Sequence, residues 1–394
     1  MHRVVKWLGI SVLVLLVVGL AVLSSASGAN GMRLYHNPSH FFNRQLIWLA
    51  VAALCMVAAV CFDYHKWREL PWLTYLFYFG VVALMAAVFF FPPIKGSRRW
   101  IVLGSFRLQP SELGKLAAVI ASAVFLDRLG WQVSKFWKGA VKASLIGGGL
   151  MVLAVLEPDF GATFVIASTV AVLFLISGMK IMHMITLGVF AAIPVGILLA
   201  LNKNRMNRIF SWLKGMFGQA ASDGTLAVMS DKERAAEYQV NNALIAIQQG
   251  GLTGVGLNKS RQKLEYLPEA HTDFIFAIGA EEMGLVFSLG LVLLYLLIFI
   301  FGLIIAARAT DRLGRFLAYG MTCLIIFQAF FNLGVVTKCL PTKGIALPFI
   351  SYGGTNLISA LVAVGVIINV GRQIELSKLR PRSTISPVFN NEVE

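Results

Sequence analysis

The sequence predicts an all-α polytopic membrane protein of about ten transmembrane helices, with a large extracytoplasmic loop between spans 7 and 8. Three observations predict it. The chain is 58% hydrophobic and only 13% charged, roughly half the charged fraction of a soluble protein. Apolar runs of span length recur from one end to the other, and in lipid such runs are helical because each backbone group must find its partner within the segment. Lysine and arginine gather in alternate connections, as they do when cytoplasmic loops retain positive charge.

The apolar stretches lie near 4–23, 45–62, 72–91, 112–126, 140–156, 161–177, 181–201, 284–307, 315–338 and 355–370. The first carries Arg3 and Lys6 at its start and precedes SSASGAN, in the manner of a secretory signal. Its apolar run is longer than a signal core, which favours an uncleaved first span. The fourth and fifth are short for a bilayer and are expected to tilt little or to dip only partway. No periodic repeat is visible. With the N-terminus in the cytoplasm, the inner loops hold Lys66 and Arg68; Arg128, Lys135 and Lys138; Lys180; and Arg308, Arg312 and Arg315. The inner tail holds Arg372, Lys378, Arg380 and Arg382, so both termini are expected to be cytoplasmic. Residues 1–371 then form one transmembrane domain and 372–394 a short polar tail, expected to be disordered.

The net charge of +15 would suggest nucleic acid in a soluble protein. Here it belongs to loops that set topology and meet anionic membrane lipid, so no nucleic-acid partner is expected. Cys55, Cys61, Cys323 and Cys339 show no metal or CxxC spacing. One outer loop departs from the charge rule. Residues 92–111 carry Lys95, Arg98, Arg99 and Arg107, which suits an anionic ligand, or else snorkelling beside Trp100.

The outer segment 202–283 is too long for a plain connector. Residues 203–217 alternate basic and apolar positions in the pattern of a helix lying in the membrane surface. Residues 218–236 are polar and expected to be mobile, and a second short helix is expected over Tyr238 to Gln249. The glycines of GGLTGVGLNKS do not fit GxGxxG and follow no strand, so they are turns rather than a nucleotide loop.

Several polar clusters fall on the outer side once the spans are threaded. They are Arg98, Arg99 and Arg107; Glu112 and Lys115; Glu157 and Asp159; Glu269, His271 and Asp273; and Lys343. Ionisable residues at the lip of a span are costly unless they serve a site. Both signs of charge at one depth suit a lipid-linked anionic sugar donor. A sugar hydroxyl attacking an anomeric carbon needs a base, and a partly desolvated carboxylate can take the proton as the bond forms. A pyrophosphate leaving group needs cationic charge rather than a proton donor, supplied by Arg, Lys or a metal ion. One aspartate with a cluster of cations is thus a sufficient set. No cofactor is required, although the chemistry leaves room for a divalent cation, and no metal-ligand spacing is present. Each residue also has a structural reading. Asp273 stands where it would N-cap the helix that follows. Glu112 and Lys115, at i and i+3, suit a helix ion pair. Pro158 and Asp159 suit an interhelical turn, His271 an orienting role in its loop, and the SYGG segment a re-entrant loop.

SRRW with LQPSELGK, EPDFG, YQVNNALIAIQQGG, KLEYLPEAHTDFIFA and LPTKGIALPFISYGG occur in the order of the SEDS family (shape, elongation, division and sporulation), which the chain resembles over almost its whole length. KLEYLPEAHTDF and the Lys343-Gly344 pair resemble its division branch more than its elongation branch. The resemblance implies a ten-span fold in the bacterial inner membrane and polymerisation of lipid II into glycan strands on its outer face, for septal wall synthesis. It implies that Asp273 is the catalytic aspartate, that Glu112, Lys115 and Asp159 line a central cavity, and that Arg99 is important for function. It also implies a class B penicillin-binding protein as transpeptidase partner, among divisome proteins. GLNKS and the 215–236 stretch depart from the family pattern and bear on loop docking.

The leading expectation is therefore an inverting peptidoglycan glycosyltransferase. Asp273 is its base, Arg99 and Lys115 face the pyrophosphate, and Arg98, Glu112, Asp159, His271 and Lys343 complete the substrate site. A lipid II transporter fits the same cations and carboxylates but predicts movement of lipid without polymer. A scaffold for a penicillin-binding protein predicts that site variants keep function whenever the complex forms.

Overall fold

The computed structural model describes residues 1–94, 97–104, 106–200, 231–263, 267, 270–341 and 343–379. In chain order these form α1 (His2–Tyr35), α2 (His40–Cys61), α3 (Pro71–Ala87), β1 (Ile101–Leu103), β2 (Phe106–Leu108), α4 (Pro110–Leu129), α5 (Lys142–Leu156), α6 (Phe160–Ile176), α7 (Ile181–Ala200), α8 (Asp231–Gly250), α9 (Ile275–Ala307), α10 (Arg312–Val336) and α11 (Gly354–Leu379).

Every expected apolar stretch lies on a helix, and among the described residues eight helices are long and apolar enough to cross a membrane. Two shorter apolar helices, Phe160–Ile176 and Ile181–Ile193, accompany them. The fourth and fifth are not short. They run over Pro110–Ser134 and Phe136–Leu156 once the 3-10 turn at Gly130–Ser134 and the π turn at Phe136–Val141 are included. The first helix runs through the signal-like SSASGAN, with Ser25, Ala26 and Ser27 buried. The last continues to Leu379, so the residues from Arg372 to Lys378, expected in a disordered tail, are helical. These departures share a cause. Apolarity falls at the first charged residue, whereas a helix continues for as long as its ladder closes and its charged side chains reach water or headgroups.

The bundle is organised around α4, α10 and α11. About two-thirds of the span windows of α10 and α11 are buried, against 11% for α2. The small residues of AAVIASA on α4 let its neighbours approach closely, and α4 packs on α3, α5, α6, α10 and α11. The outer helices turn large apolar side chains outward: Leu54 and Val57 on α2, Leu76 and Phe79 on α3, and Val286, Leu289 and Leu293 on α9.

Within the basic loop, β1 and β2 make a small antiparallel hairpin that pairs Ile101 with Leu108 and Leu103 with Phe106. The sequence reading missed it, although IVL and FRL flank Gly104, which adopts φ 59°. The helix expected over Tyr238 to Gln249 is α8, which begins earlier, at Asp231. Residues 231–236 of the polar stretch are thus helical, and the glycines after α8 are turns. The surface helix over 203–217, the rest of 218–230, Lys95, Glu269 and residues 380–394 lie outside the described residues.

Candidate functional site

Three elements converge at the N-terminal ends of α4 and α6. Pro110 at the first turn of α4 presets the helix. One turn in, Lys115 Nζ lies 2.7 Å from Glu112 Oε2, with both residues buried. The pair is tied to two further helices. Lys115 donates to Gln328 Oε1 on α10, Ser359 Oγ on α11 donates to Glu112 Oε2 at 3.0 Å, and Gln328 Nε2 donates to Asn356 Oδ1 at 2.6 Å. The helix ion pair suggested by the i,i+3 spacing is therefore present, but inside the protein, where an ion pair needs such hydrogen bonds.

Asp159 caps α6 by accepting from Ala162 N at 3.2 Å. Its other oxygen accepts from Ser111 Oγ at 2.8 Å and Gln109 Nε2 at 2.9 Å. Burial alone would raise this carboxyl. The Arg99 guanidinium, with Ser111, the Ala162 N–H and Lys343, outweighs it and holds the group below the usual range. Arg99 donates to the carbonyls of Glu157 and Pro158. Lys343 Nζ reaches the same Pro158 carbonyl at 3.4 Å and lies 4.2 Å above the Phe160 ring. Between them, Glu157 is fully buried and neither carboxyl oxygen has a hydrogen-bond partner. Burial, and then the neighbouring Asp159 charge, push it up to about 8 against the pull of Arg99.

Asp273 stands one residue before Phe274, the N-cap of α9. Its backbone is pinned. Asn332 Nδ2 on α10 donates to Asp273 O at 2.7 Å and to Ile345 O at 2.6 Å, and Ser351 Oγ donates to Thr272 O at 2.6 Å. The partly buried Asp273 carboxylate lies directly against Gly344, where any Cβ would collide with Oδ2. The 343–351 segment thus carries the aspartate's neighbour and the cation Lys343 together.

The structure therefore joins Asp273, Gly344, Lys343, Pro158, Arg99 and Asp159 into one connected cluster, and buries Glu112 and Lys115 among α4, α10 and α11. Two expected members point elsewhere. Arg98 is exposed and turns back to the Phe89 carbonyl at 2.9 Å. His271 packs against Phe41, with centroids 4.6 Å apart, and against Tyr352, and its Nδ1 lies 3.4 Å from Asn30 Nδ2. Sequence reasoning missed Gln109, Ser111, Gln328, Asn332, Asn356 and Ser359. The signal was there in FQAFFN, where two amides one helical turn apart interrupt an apolar span. Among the described residues no three His, Cys, Asp or Glu side chains stand close enough to hold a metal ion.

The family described as cell cycle protein, FtsW/RodA/SpoVE, matches residues 6–376. The chain is 37% identical to a probable peptidoglycan glycosyltransferase FtsW of Coxiella burnetii, over 94% of this chain and 96% of that one. It is 35% identical to the stage V sporulation protein E of Bacillus subtilis, over 91% and 94%. Among solved structures it is similar to a chain described in the structural coordination of polymerization and crosslinking by a peptidoglycan synthase complex (TM-score 0.72, 25% identity, 93% and 97% covered). It is also similar to the rod shape determining protein RodA of Thermus thermophilus (TM-score 0.64, 26% identity, 93% and 96% covered).

Proposed function

The chain belongs to the FtsW/RodA/SpoVE family, and from that premise we propose how it works as a peptidoglycan glycosyltransferase: Asp273 is the base that activates one lipid II molecule to attack another. The protein is an integral membrane protein of the bacterial inner membrane that polymerises lipid II. The Asp273 carboxylate takes the proton from the acceptor sugar hydroxyl as its oxygen bonds to the donor's anomeric carbon. The bond from that carbon to the polyprenyl pyrophosphate breaks on the opposite face, with inversion. Arg99 and Lys343, gathered at the Pro158 carbonyl, receive the charge of the departing pyrophosphate. Lys115, buried against Glu112, supports the floor of the site rather than its surface.

The observation that carries this reading is the seating of Asp273 against Gly344, one residue from Lys343, so that base and cation share a single loop. Loop charge supports N- and C-termini in the cytoplasm and the site on the outer face. The division-branch motifs support action at the septum beside a class B penicillin-binding transpeptidase and other divisome proteins. The test is polymerisation of pure lipid II by the pure protein. Asp273→Ala and Asp273→Asn are expected to abolish glycan strands while fold and partner binding persist. Full turnover by both would remove Asp273 from the mechanism.

A further inference from the structure

α9 is broken where the chain leaves the site. Gly284 adopts φ 71°, ψ −161°, a conformation that side chains other than glycine's rarely take. The turns after α8 close the gap. Val255 N and Gly256 N donate to the carbonyls of Glu281 and Glu282, each at 3.0 Å, and beyond the break Leu285 N donates to Gly251 O at 2.9 Å. A Cβ on Gly284 would meet Gly254 N and Leu252 O at 2.5 Å. The first nine residues of α9, Ile275 to Met283, are thus a short separate rod lodged against the glycine turns.

Its side chains are clamped at the same level. Glu281 and Glu282 are buried. Glu281 accepts from Ser260 Oγ at 2.5 Å and from Arg261 N at 2.8 Å. Glu282 Oε1 accepts from Lys263 Nζ at 2.8 Å and from Ser25 Oγ of α1 at 2.5 Å, and Lys263 Nζ also donates to Ser25 Oγ at 2.8 Å. Arg261 and Glu281 therefore meet at one point, and Asp273 lies in the sequence between them. From Glu282 to the start of the rod is about 10 Å along the axis, so the clamp touches no reacting atom. A buried ion pair is a weak source of stability but a good means of fixing register.

We propose that Lys263 and Glu282, with Ser25, Ser260 and Glu281, are positioning residues for the glycosyl transfer: they staple the base of the loop that presents Asp273. The staple rests on the reading of Asp273 as the base. It sets the height of the rod while Asn332 and Ser351 hold the tip, and an aspartate misplaced by about an ångström loses rate rather than affinity, on the order of 100-fold.

The test measures kcat and KM for lipid II, together with thermal stability, in the purified full-length chain. Glu282→Gln and Lys263→Met are each expected to lower kcat about tenfold or more at unchanged KM. The double variant Lys263→Met with Glu282→Leu is expected to recover thermal stability, since apolar residues replace a buried pair well, without recovering kcat. Ser25→Ala leaves the Lys263–Glu282 pair in place and Ser260→Ala leaves Glu281 the Arg261 N–H, so both are expected to fold even where a single charge variant does not; each is expected to lower kcat about twofold to fivefold, the scale of a net hydrogen bond. Wild-type kcat in the folded double variant and in both serine variants, with Asp273→Asn inactive, would overturn the staple. Turnover by Asp273→Asn would instead overturn the base.

Discussion

At one end of α4 and α10, charge is paired side chain to side chain and left partly wet. Tyr64 OH donates to Asp311 at 2.5 Å, His65 lies 2.7 Å from Asp63, and Arg68 lies 3.7 Å from Asp127, with the Asp63 and Arg68 side chains more than 40% exposed. At the other end of the same two helices, charge is buried or half-buried and built into the backbone. Arg99 and Lys343 reach carbonyls, Asp159 takes an N–H and two side-chain donors, and Asn332 holds the main chain of Asp273. The contrast separates two uses of polar residues in a membrane protein. Exposed pairs mark where a span ends and are replaceable, because water can take over from a lost partner. Buried groups on backbone atoms fix positions to fractions of an ångström, and their loss leaves a charge or a carbonyl with nothing to replace it.

Substitutions can break that contrast in descending order. Asp273→Asn is expected to remove polymerisation altogether, since the amide keeps the shape and cannot take the proton. Lys115→Met leaves Glu112 buried without its cation and is expected to cost about 3–5 kcal/mol of stability, read as a fall in Tm in detergent. Arg99→Ala is expected to lower kcat/KM about 100-fold, the scale of one lost charge-stabilising contact, with a larger effect on kcat than on folding. Glu157→Gln sharpens the comparison through pH. The Glu157 carboxyl, raised to about 8, holds its proton in the folded state while the unfolded chain has lost it. Wild-type stability should therefore fall as pH rises from about 4.5 to about 8, by up to about 1.4 kcal/mol per pH unit. The Gln variant should lack that slope, and equal slopes in the two proteins would place the proton elsewhere. At the opposite end, Arg68→Ala is expected to change stability by no more than about 1 kcal/mol and to leave lipid II turnover unchanged. A large loss there would dissolve the distinction.

The sequence by itself determined that this chain is a helical membrane protein, where its apolar stretches lie, and which types of residue gather on one side. These follow from properties each segment carries alone: apolar length, charge in the connections, and glycine where the backbone must turn. It also singled out Asp273, Arg99, Asp159 and Lys343, because charged residues at span ends are conspicuous. Only the tertiary structure decided which of these meet. It turned Arg98 to the Phe89 carbonyl, packed His271 on Phe41, brought Gln328, Asn332 and Asn356 in, and buried the Glu112–Lys115 pair among α4, α10 and α11. It also revealed the break at Gly284 and the ion pair between Lys263 and Glu282. The reason is that a polar side chain's role depends on what faces it. In a bundle that partner comes from a helix distant in sequence, as Gln328 does for Lys115, so local composition carries no record of the pairing.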